Sequence, residues 1–478
     1  MTQPRPLLIG GKQRSTSLRD VIRNPYNGEV IAEVCLADDA AVEDAVRSVE
    51  RASQAMKQLP AHARAAACAT IAEALRQRQE DFAQVMVAEA GKPIADARRE
   101  VLRAIQTFLV ASEEAKRVGG EVIPLDWTPG MDRYLGLTRR VPVGPVLGIT
   151  PFNFPLNLVA HKVAPALAIG TAILIKPAPQ TPLTALLLGE VALEAGLPPG
   201  ALSVLPCDNV VAQRLVEDAR FSVLSFTGSA AVGWMLKGKA GKKRVLLELG
   251  GNAGVIVEPD ADLDLAARRC ATGGYGYAGQ TCISVQRILV QESVSAVFTE
   301  KLLALVRALK AGDPRREETV VGPVINQAAV SRIEQWIQEA VQHGARRLLG
   351  GGRTGNVFDP VVLADVAPEM KVSCEEVFGP LVSVISYRTF EDALRMLNDS
   401  QYGLQAGVFT RDVNRIFQAF RELEVGAVLA NEIPTFRADH MPYGGVKDSG
   451  LGREGVRYAM EELSELRLLV INQGETRS

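Results

Sequence analysis

The sequence predicts an α/β protein made of two doubly wound, Rossmann-like units and a small accessory β element. Three observations predict it. From about residue 141, short continuous apolar runs alternate with helical stretches, the pattern of strands buried on both faces of a parallel sheet. A second series of the same kind starts at Asn252 and runs to about Ala430. Two strand-like segments, residues 131–140 and 465–472, stand outside both series without a local partner. A length of 478 residues suits about three such parts at roughly 150 residues each.

The elements follow in chain order. The first stretch reads as helical, with Asp38 and Asp39 opening a segment that sets Val42, Val46 and Val49 on one face. Carboxylates favour such a start because free N–H groups point at them. A second helix is expected over 62–90, with Ile71, Leu75, Phe82 and Val85 in its stripe and Gly91 as its stop. In the first series, VPVGPVLGIT, TAILIKP, ALSVLP, FSVLSFTGS and RVLLELGG read as strands, with helical LNLVAHKVAPALAIG, TPLTALLLGEVALEAG, NVVAQRLVED and AVGWMLKGKA between them. Right-handed crossovers then give a Rossmann-like unit. In the second series, NAGVIV, SVQRILV, LVSVISY and GLQAGVFT read as strands, and VSAVFTEKLLALVRAL, VSRIEQWIQEAVQHG, EDALRMLNDS and VNRIFQAFRELE as helices. The two isolated strands are expected to pair with each other and with another subunit.

Composition narrows the function. Fifty-three Lys+Arg against 55 Asp+Glu leave a net charge of −2, which speaks for no nucleic-acid and no membrane partner. No run reaches the ~18 apolar residues of a membrane span. The opening residues lack the basic and apolar regions of a secretory signal, and the six cysteines form no CxxC pair, so a cytoplasmic, reducing setting is expected. Four histidines, none at ligand spacing, argue against a metal. Acid–base chemistry is therefore expected from carboxylates.

Four segments could carry chemistry. In FTGSAAVG (226–233) a strand turns into a helix through small residues, so Gly228, Ser229 and Gly233 could let backbone N–H groups approach a phosphate. The spacing is GxxxxG rather than GxGxxG, and a tight βα turn needs the same residues. In ELGGN (248–252) Glu248 ends an apolar strand, where burial would raise its pKa into the range of a general base; a basic partner is the other reading. In GYAGQTCIS (276–284) Cys282 lies in a Gly-rich turn, more accessible than a core thiol and a candidate nucleophile. In TPFNFPLN (150–157) two prolines fix a turn that holds Asn153, whose amide could bind an oxyanion or merely cap the next helix.

Together these segments resemble the aldehyde dehydrogenase superfamily, its lactaldehyde and semialdehyde dehydrogenase-like branch. PFNFP, FTGSxxxG, LELGGN, GQTC and EEVFGP stand in the family's order, and PYGGVKDSGLGREG (442–455) extends the likeness almost to the end. The resemblance implies the aldehyde dehydrogenase fold: a dinucleotide-binding domain over 1–130 and 144–251, a catalytic domain over 252–445, and an oligomerisation element over 131–143 and 460–478. It implies a homodimer or homotetramer, and oxidation of an aldehyde to a carboxylic acid with NAD or NADP. Cys282 would attack the carbonyl, Asn153 and the Cys282 N–H would hold the oxyanion, and Glu248 would activate the water that hydrolyses the thioester. Lys176 would contact the adenosine ribose, Gly228, Ser229 and Gly233 the pyrophosphate, and Glu376 and Phe378 the nicotinamide ribose and ring. Thr150 and Pro151 would also lie on the cofactor side, and Phe152 and Tyr443 on the substrate side.

The sequence departs from the commonest family pattern in two useful places. Pro179 stands where many NAD-preferring members carry Glu, which removes repulsion against a 2′-phosphate, so NADP should be tolerated. Arg437 and His440 precede PYGG, and a basic Arg437 near the substrate mouth suits a small polar or anionic aldehyde; pairing of Arg437 with Asp439 or another acid is the alternative. Two other readings compete: a CoA-acylating semialdehyde dehydrogenase, and a catalytically silent binding or structural relative.

Overall fold

The computed structural model describes residues 3–474. Its first sheet is centred on β1 (Val146–Ile149), β2 (Ile173–Lys176), β3 (Leu202–Val204), β4 (Val223–Thr227) and β5 (Arg244–Glu248). Their spatial order is β3-β2-β1-β4-β5, all parallel, so the winding reverses between β1 and β4. Every residue of β1, β2 and β4 is buried, which is why these segments show no polar alternation. Leu7–Ile9 beside β3 and Gly450–Leu451 beside β5 add antiparallel edges.

The second sheet holds β6 (Gly254–Val257), β7 (Arg287–Gln291), β8 (Val361–Ala364), β9 (Leu381–Tyr387), β10 (Gln405–Phe409) and β11 (Ala427–Ala430). The order is β8-β9-β7-β6-β10-β11, again parallel throughout, with an antiparallel strand Arg346–Leu349 outside β8. Side chains alternate between two cores: Val255 and Val257 join Ile288 and Val290 on one face, while Ile256 and Leu289 pack on the other. The architecture is the predicted one of two doubly wound units. The two isolated strands do pair: Ser464–Asn472 runs antiparallel to Tyr134–Pro142, and Val122–Pro124 adds a third strand on the far side. Residues 475–478 of the expected 460–478 segment, and residues 1–2, lie outside the described residues.

The N-terminal region differs from expectation. It opens with antiparallel strand pairs, Leu7–Ile9 with Lys12–Arg14 and Arg19–Arg23 with Val30–Cys35, before any helix. Leu7–Ile9 is buried but only three residues long, and Lys12–Arg14 and Arg19–Arg23 are short and mostly solvent-facing, so they leave little apolar pattern. The helix expected over 62–90 is two helices, Ala61–Gln77 and Gln79–Ala90, broken at Arg78 (φ −107°, ψ 24°). Gly91 does end the second, in the left-handed conformation at φ 63°. Helix Ile94–Glu114 was not foreseen; much of its buried stripe is alanine (Ala97, Ala104, Ala111), a weak hydropathic signal. Among the described residues no helix is long and apolar enough to cross a membrane, and no group of three His, Cys, Asp or Glu is placed to hold a metal.

Candidate active site

The winding reversal opens a crevice beyond the carboxyl ends of β1 and β4. A cavity of about 510 Å³ lies there, lined by Pro151–Phe154 after β1, Thr227–Ala231 after β4, Glu248–Gly250 after β5, Thr281–Ile283, and Glu376 with Phe378. Segments of both sheets thus meet on one space, within the usual size range of a ligand pocket.

Helix N-termini decide which part of this crevice suits an anion. A helix start presents free N–H groups and partial positive charge unless something occupies it. After β1, the N–H groups of Leu156 and Asn157 both donate to Glu100 Oε1 at 2.9 Å. After β2, Leu183 and Thr184 N–H donate to Glu89 at 2.7 and 2.9 Å. After β3, Asp208 caps Val211. After β4, Ser229 stands at the N-cap of Ala230–Lys239 with no side-chain cap bond, and Ala230 and Ala231 line the cavity. The helix after β4 is therefore the one among these four whose first turn is left open to a phosphate.

The nucleophile candidate sits on a constrained loop. Tyr277 and Ala278 adopt φ 50° and 54°, and Gly279 φ 68°. A Cβ on Gly279 would lie 2.2 Å from the Gly379 carbonyl, so only glycine passes there. Gln280 staples the loop, accepting from Ile325 N–H at 2.9 Å and donating to the Pro323 carbonyl at 3.2 Å. Asn153 Nδ2 donates to the Gln280 carbonyl at 3.0 Å, which ties the PFNFP turn to the residue two before Cys282. That bond uses one of the two amide hydrogens; the other remains for a developing oxyanion. Cys282 is half-buried, more accessible than the buried Cys35, Cys68, Cys207 and Cys270, as the Gly-rich turn suggests, and burial still pushes its thiol up to about 12. Its sulfur lies 3.1 Å from the Tyr443 hydroxyl.

Two buried carboxylates near it are driven apart. Glu454 accepts from Lys162 Nζ at 3.3 Å and Arg437 Nη2 at 3.0 Å, and these cations hold it down at about 2. Glu248 is raised well above the carboxylate range, first by burial and then by the Glu454 charge, and its Oε2 has no hydrogen-bond partner. One carboxylate stays ionised while the other is poised to hold a proton. Glu376 Oε1 accepts from Gly251 N–H at 3.0 Å, and burial raises it to about 7. Phe378, at φ 49°, meets Phe152 edge-on with ring centres 5.9 Å apart.

Most of the residues singled out from the sequence converge here: Cys282, Glu248, Asn153, Gly228, Ser229, Glu376, Phe378, Pro151, Phe152, Tyr443 and Arg437 all line the cavity. Lys176, Thr150, Gly233 and His440 do not. Gly233 is a packing glycine, since a Cβ there would strike Leu249 at 2.3 Å. Lys176 is buried at the end of β2, beside Thr150, whose N–H bonds its carbonyl at 3.1 Å. Arg437 pairs with Glu454 rather than Asp439; Asp439 instead takes Arg103 and His161. Arg103, Arg332, Trp336, Lys162 and Glu454 were not foreseen. Lys162 carried a signal, as a charge inside a mostly apolar helix whose every residue is buried. Arg103 carried none, because it comes from a helix that was itself missed.

Comparison with known proteins agrees with this geometry. The profile of the "Aldehyde dehydrogenase family" matches residues 13–469. A 3-sulfolactaldehyde dehydrogenase of Priestia aryabhattai is 42% identical over 468 residues, 98% of each chain. The crystal structure of aldehyde dehydrogenase 21 from Physcomitrella patens, in complex with the reaction product succinate, is 43% identical and superposes with a TM-score of 0.97 over 99% of both chains. An NADP-dependent glyceraldehyde-3-phosphate dehydrogenase from Bacillus halodurans, complexed with NADP, is 34% identical with a TM-score of 0.96, covering 99% of this chain and 100% of the other.

Proposed function

The chain belongs to the aldehyde dehydrogenase family, and on that premise we propose that it oxidises a small polar or anionic aldehyde to the carboxylic acid, with Cys282 as nucleophile, Glu248 as general base and Asn153 in the oxyanion hole. NAD(P)-dependent aldehyde oxidation is the chemistry of the family. The observation that carries the residue assignment is the convergence of a thiol, a proton-holding carboxylate and an amide donor on one cavity, next to a helix start left open for a phosphate. The residues fit NAD or NADP: Ser229 and the first turn after it would face the pyrophosphate, Glu376 the nicotinamide ribose and Lys176 the adenosine side. Bound there, the nicotinamide supplies a hydride acceptor.

Cys282 adds to the carbonyl, and the oxyanion is held by the free Asn153 N–H and the Cys282 backbone N–H. Losing one such donor typically costs ~100- to 1000-fold in rate. Glu248, deprotonated, takes a proton from the water that hydrolyses the Cys282 thioester. Its unpartnered oxygen and raised pKa suit that role. Arg103, whose Nη1 stays outside its pair with Asp439, gives the cavity wall a cation that supports an anionic aldehyde. The names of the similar proteins, a sulfolactaldehyde dehydrogenase and a succinate complex, lie in the same direction.

Residues 1–130 and 144–251 form the cofactor unit and 252–445 the catalytic unit in this reading. Ser464–Asn472 forms a homo-oligomer contact: it is an edge strand with exposed Leu466, Leu468, Leu469, Val470 and Ile471.

The test is turnover of dicarboxylic semialdehydes, hydroxyaldehydes and aliphatic aldehydes with NAD and NADP, with and without CoA, in the wild type and Glu248→Gln. Acid formation without CoA is expected, and a Cys282 acyl adduct visible by mass spectrometry should accumulate in the variant. A strict CoA requirement would favour the acylating alternative, and absence of reduced cofactor across the panel would refute an enzyme of this kind.

A further inference from the structure

We propose that the Tyr443 hydroxyl is the hydrogen-bond donor that stabilises the ionised Cys282 sulfur, and that the Arg437 guanidinium stacked on the Tyr443 ring strengthens this donor. The inference rests on the reading of Cys282 as nucleophile and adds a catalytic residue to it.

Five distances define the arrangement. The Tyr443 hydroxyl lies 3.1 Å from Cys282 Sγ. The Arg437 guanidinium carbon lies 3.7 Å from the centre of the Tyr443 ring. Arg437 is held in place from its other side by Glu454 at 3.0 Å. Tyr443 and Glu454 exchange both backbone hydrogen bonds, at 3.1 and 2.7 Å, so the ring and the carboxylate that anchors its cation ride on one rigid pair of residues. Tyr443 is 3% exposed.

The chemistry follows from the charge states. As a neutral thiol, the sulfur can either donate to the phenol oxygen or accept from it. As a thiolate it has no proton, and the phenol can only donate. A cation against the ring face withdraws electron density from the phenol and makes its O–H the stronger donor. The sulfur needs such help, because burial and the Glu376 and Glu248 carboxylates that face it all oppose ionisation, while Tyr443 and Arg437 favour it. On ionisation the S–H bond breaks and the proton passes to water.

The experiment is iodoacetamide labelling of the cofactor-free protein as a function of pH, read peptide by peptide by mass spectrometry, for the wild type and Tyr443→Phe. Half-buried Cys374 serves as an internal reference in the same molecule. In the variant, Cys282 labelling should slow roughly tenfold over the rising part of its profile, the scale of one hydrogen bond to a charged group. The plateau at high pH and the Cys374 rates should not change. Superimposable Cys282 profiles, or faster labelling in the variant, would overturn the proposal by showing that the phenol does nothing for the thiolate or restrains the thiol. The premise fails separately: wild-type protein fully labelled at Cys282 that still oxidises aldehyde would remove this residue as nucleophile.

Discussion

Replacing Lys92 by Met should cost about 3–5 kcal/mol of stability, the range for breaking one side of a buried ion pair. Lys92 and Glu100 are 0% and 1% exposed and in direct contact. Glu100 uses its other oxygen to cap Leu156 and Asn157 N–H. The Lys92 ammonium also lies 3.7 Å from the Phe154 ring centre and 4.4 Å from that of Tyr277. Phe154 follows Asn153, and Tyr277 opens the left-handed turn that leads to Cys282. Met fills a similar volume but leaves the carboxylate uncompensated in the interior. The double variant Lys92→Met, Glu100→Gln removes that charge, and the Gln carbonyl still accepts from both N–H groups. It should recover more than half of the loss. Urea unfolding followed by circular dichroism at fixed chain concentration gives the double-mutant cycle, with a coupling of at least ~2 kcal/mol expected. Additive losses would refute the pairing argument. The folded Lys92→Met protein should also lose kcat with little change in KM, because the two loops it disturbs carry the nucleophile and the oxyanion donor rather than the substrate wall.

Burial holds Glu376 at about 7 in the free protein, and its ionised form accepts ribose hydroxyls better, so cofactor affinity should rise as pH climbs through 7 and level off above. Fluorescence titration with NADPH from pH 5.5 to 8.5 checks this, and Glu376→Gln should flatten the curve. Pro179→Glu, at an exposed position just past Lys176, should raise the NAD over NADP ratio of kcat/KM by ~10-fold or more through repulsion of the 2′-phosphate; a wild-type preference for NAD well above ~100-fold would contradict the expected NADP tolerance. Leu468→Arg, at a side chain 53% exposed on the long edge strand, should reduce the molar mass seen by light scattering without unfolding the chain. Arg103→Gln should raise KM roughly tenfold for a dicarboxylic semialdehyde and little for a neutral aliphatic aldehyde, whereas Arg437→Gln should lower kcat for both.

Most of the central sheets was legible because parallel strands covered on both faces are written as continuous apolar words, such as VLGI and ILIK, although the equally buried VVLA of β8, with no helical run before it, was missed. The edges were not, because KQR and RDVIR are short and half-solvated. The site was legible where its chemistry needs an unusual residue in a small-residue turn, as at Cys282 and Asn153. It was not legible where the partner is remote in sequence. Nothing near Arg437 points to Glu454 rather than Asp439, because the choice is made when residues 443 and 454 pair their backbones. Nor does anything near PFNFP say that Glu100 will occupy the helix start behind it. The difference matters for the cofactor crevice. A reader of motifs assigns the phosphate to FTGS by likeness, but the physical reason lies elsewhere, in two remote carboxylates that block the competing helix starts: Glu89, in the helical segment expected over 62–90, and Glu100, in the helix that was missed.

The two arginines on the cavity wall have different obligations, and this decides which of them can serve a substrate anion. Arg437 is committed three ways: to Glu454 by an ion pair, to Tyr443 through the ring face, and through both to the sulfur and to Glu248. Its side chain is 6% exposed. An anion that drew Arg437 away would release the Glu454 charge beside Glu248 and weaken the donor to Cys282, so tighter substrate binding there would come at the expense of the reaction. Arg103 carries no such linkage. It pairs with Asp439 through Nε and Nη2, which leaves Nη1 outside the pair, and its side chain is 30% exposed. Asp439 is held ionised by His161 as well as Arg103, so it does not depend on Arg103 alone. A carboxylate or sulfonate tail can therefore share the Arg103 guanidinium without disturbing the nucleophile. Arg437, the residue the sequence singled out for the substrate, belongs instead with the groups that set the charge state of the reacting atoms.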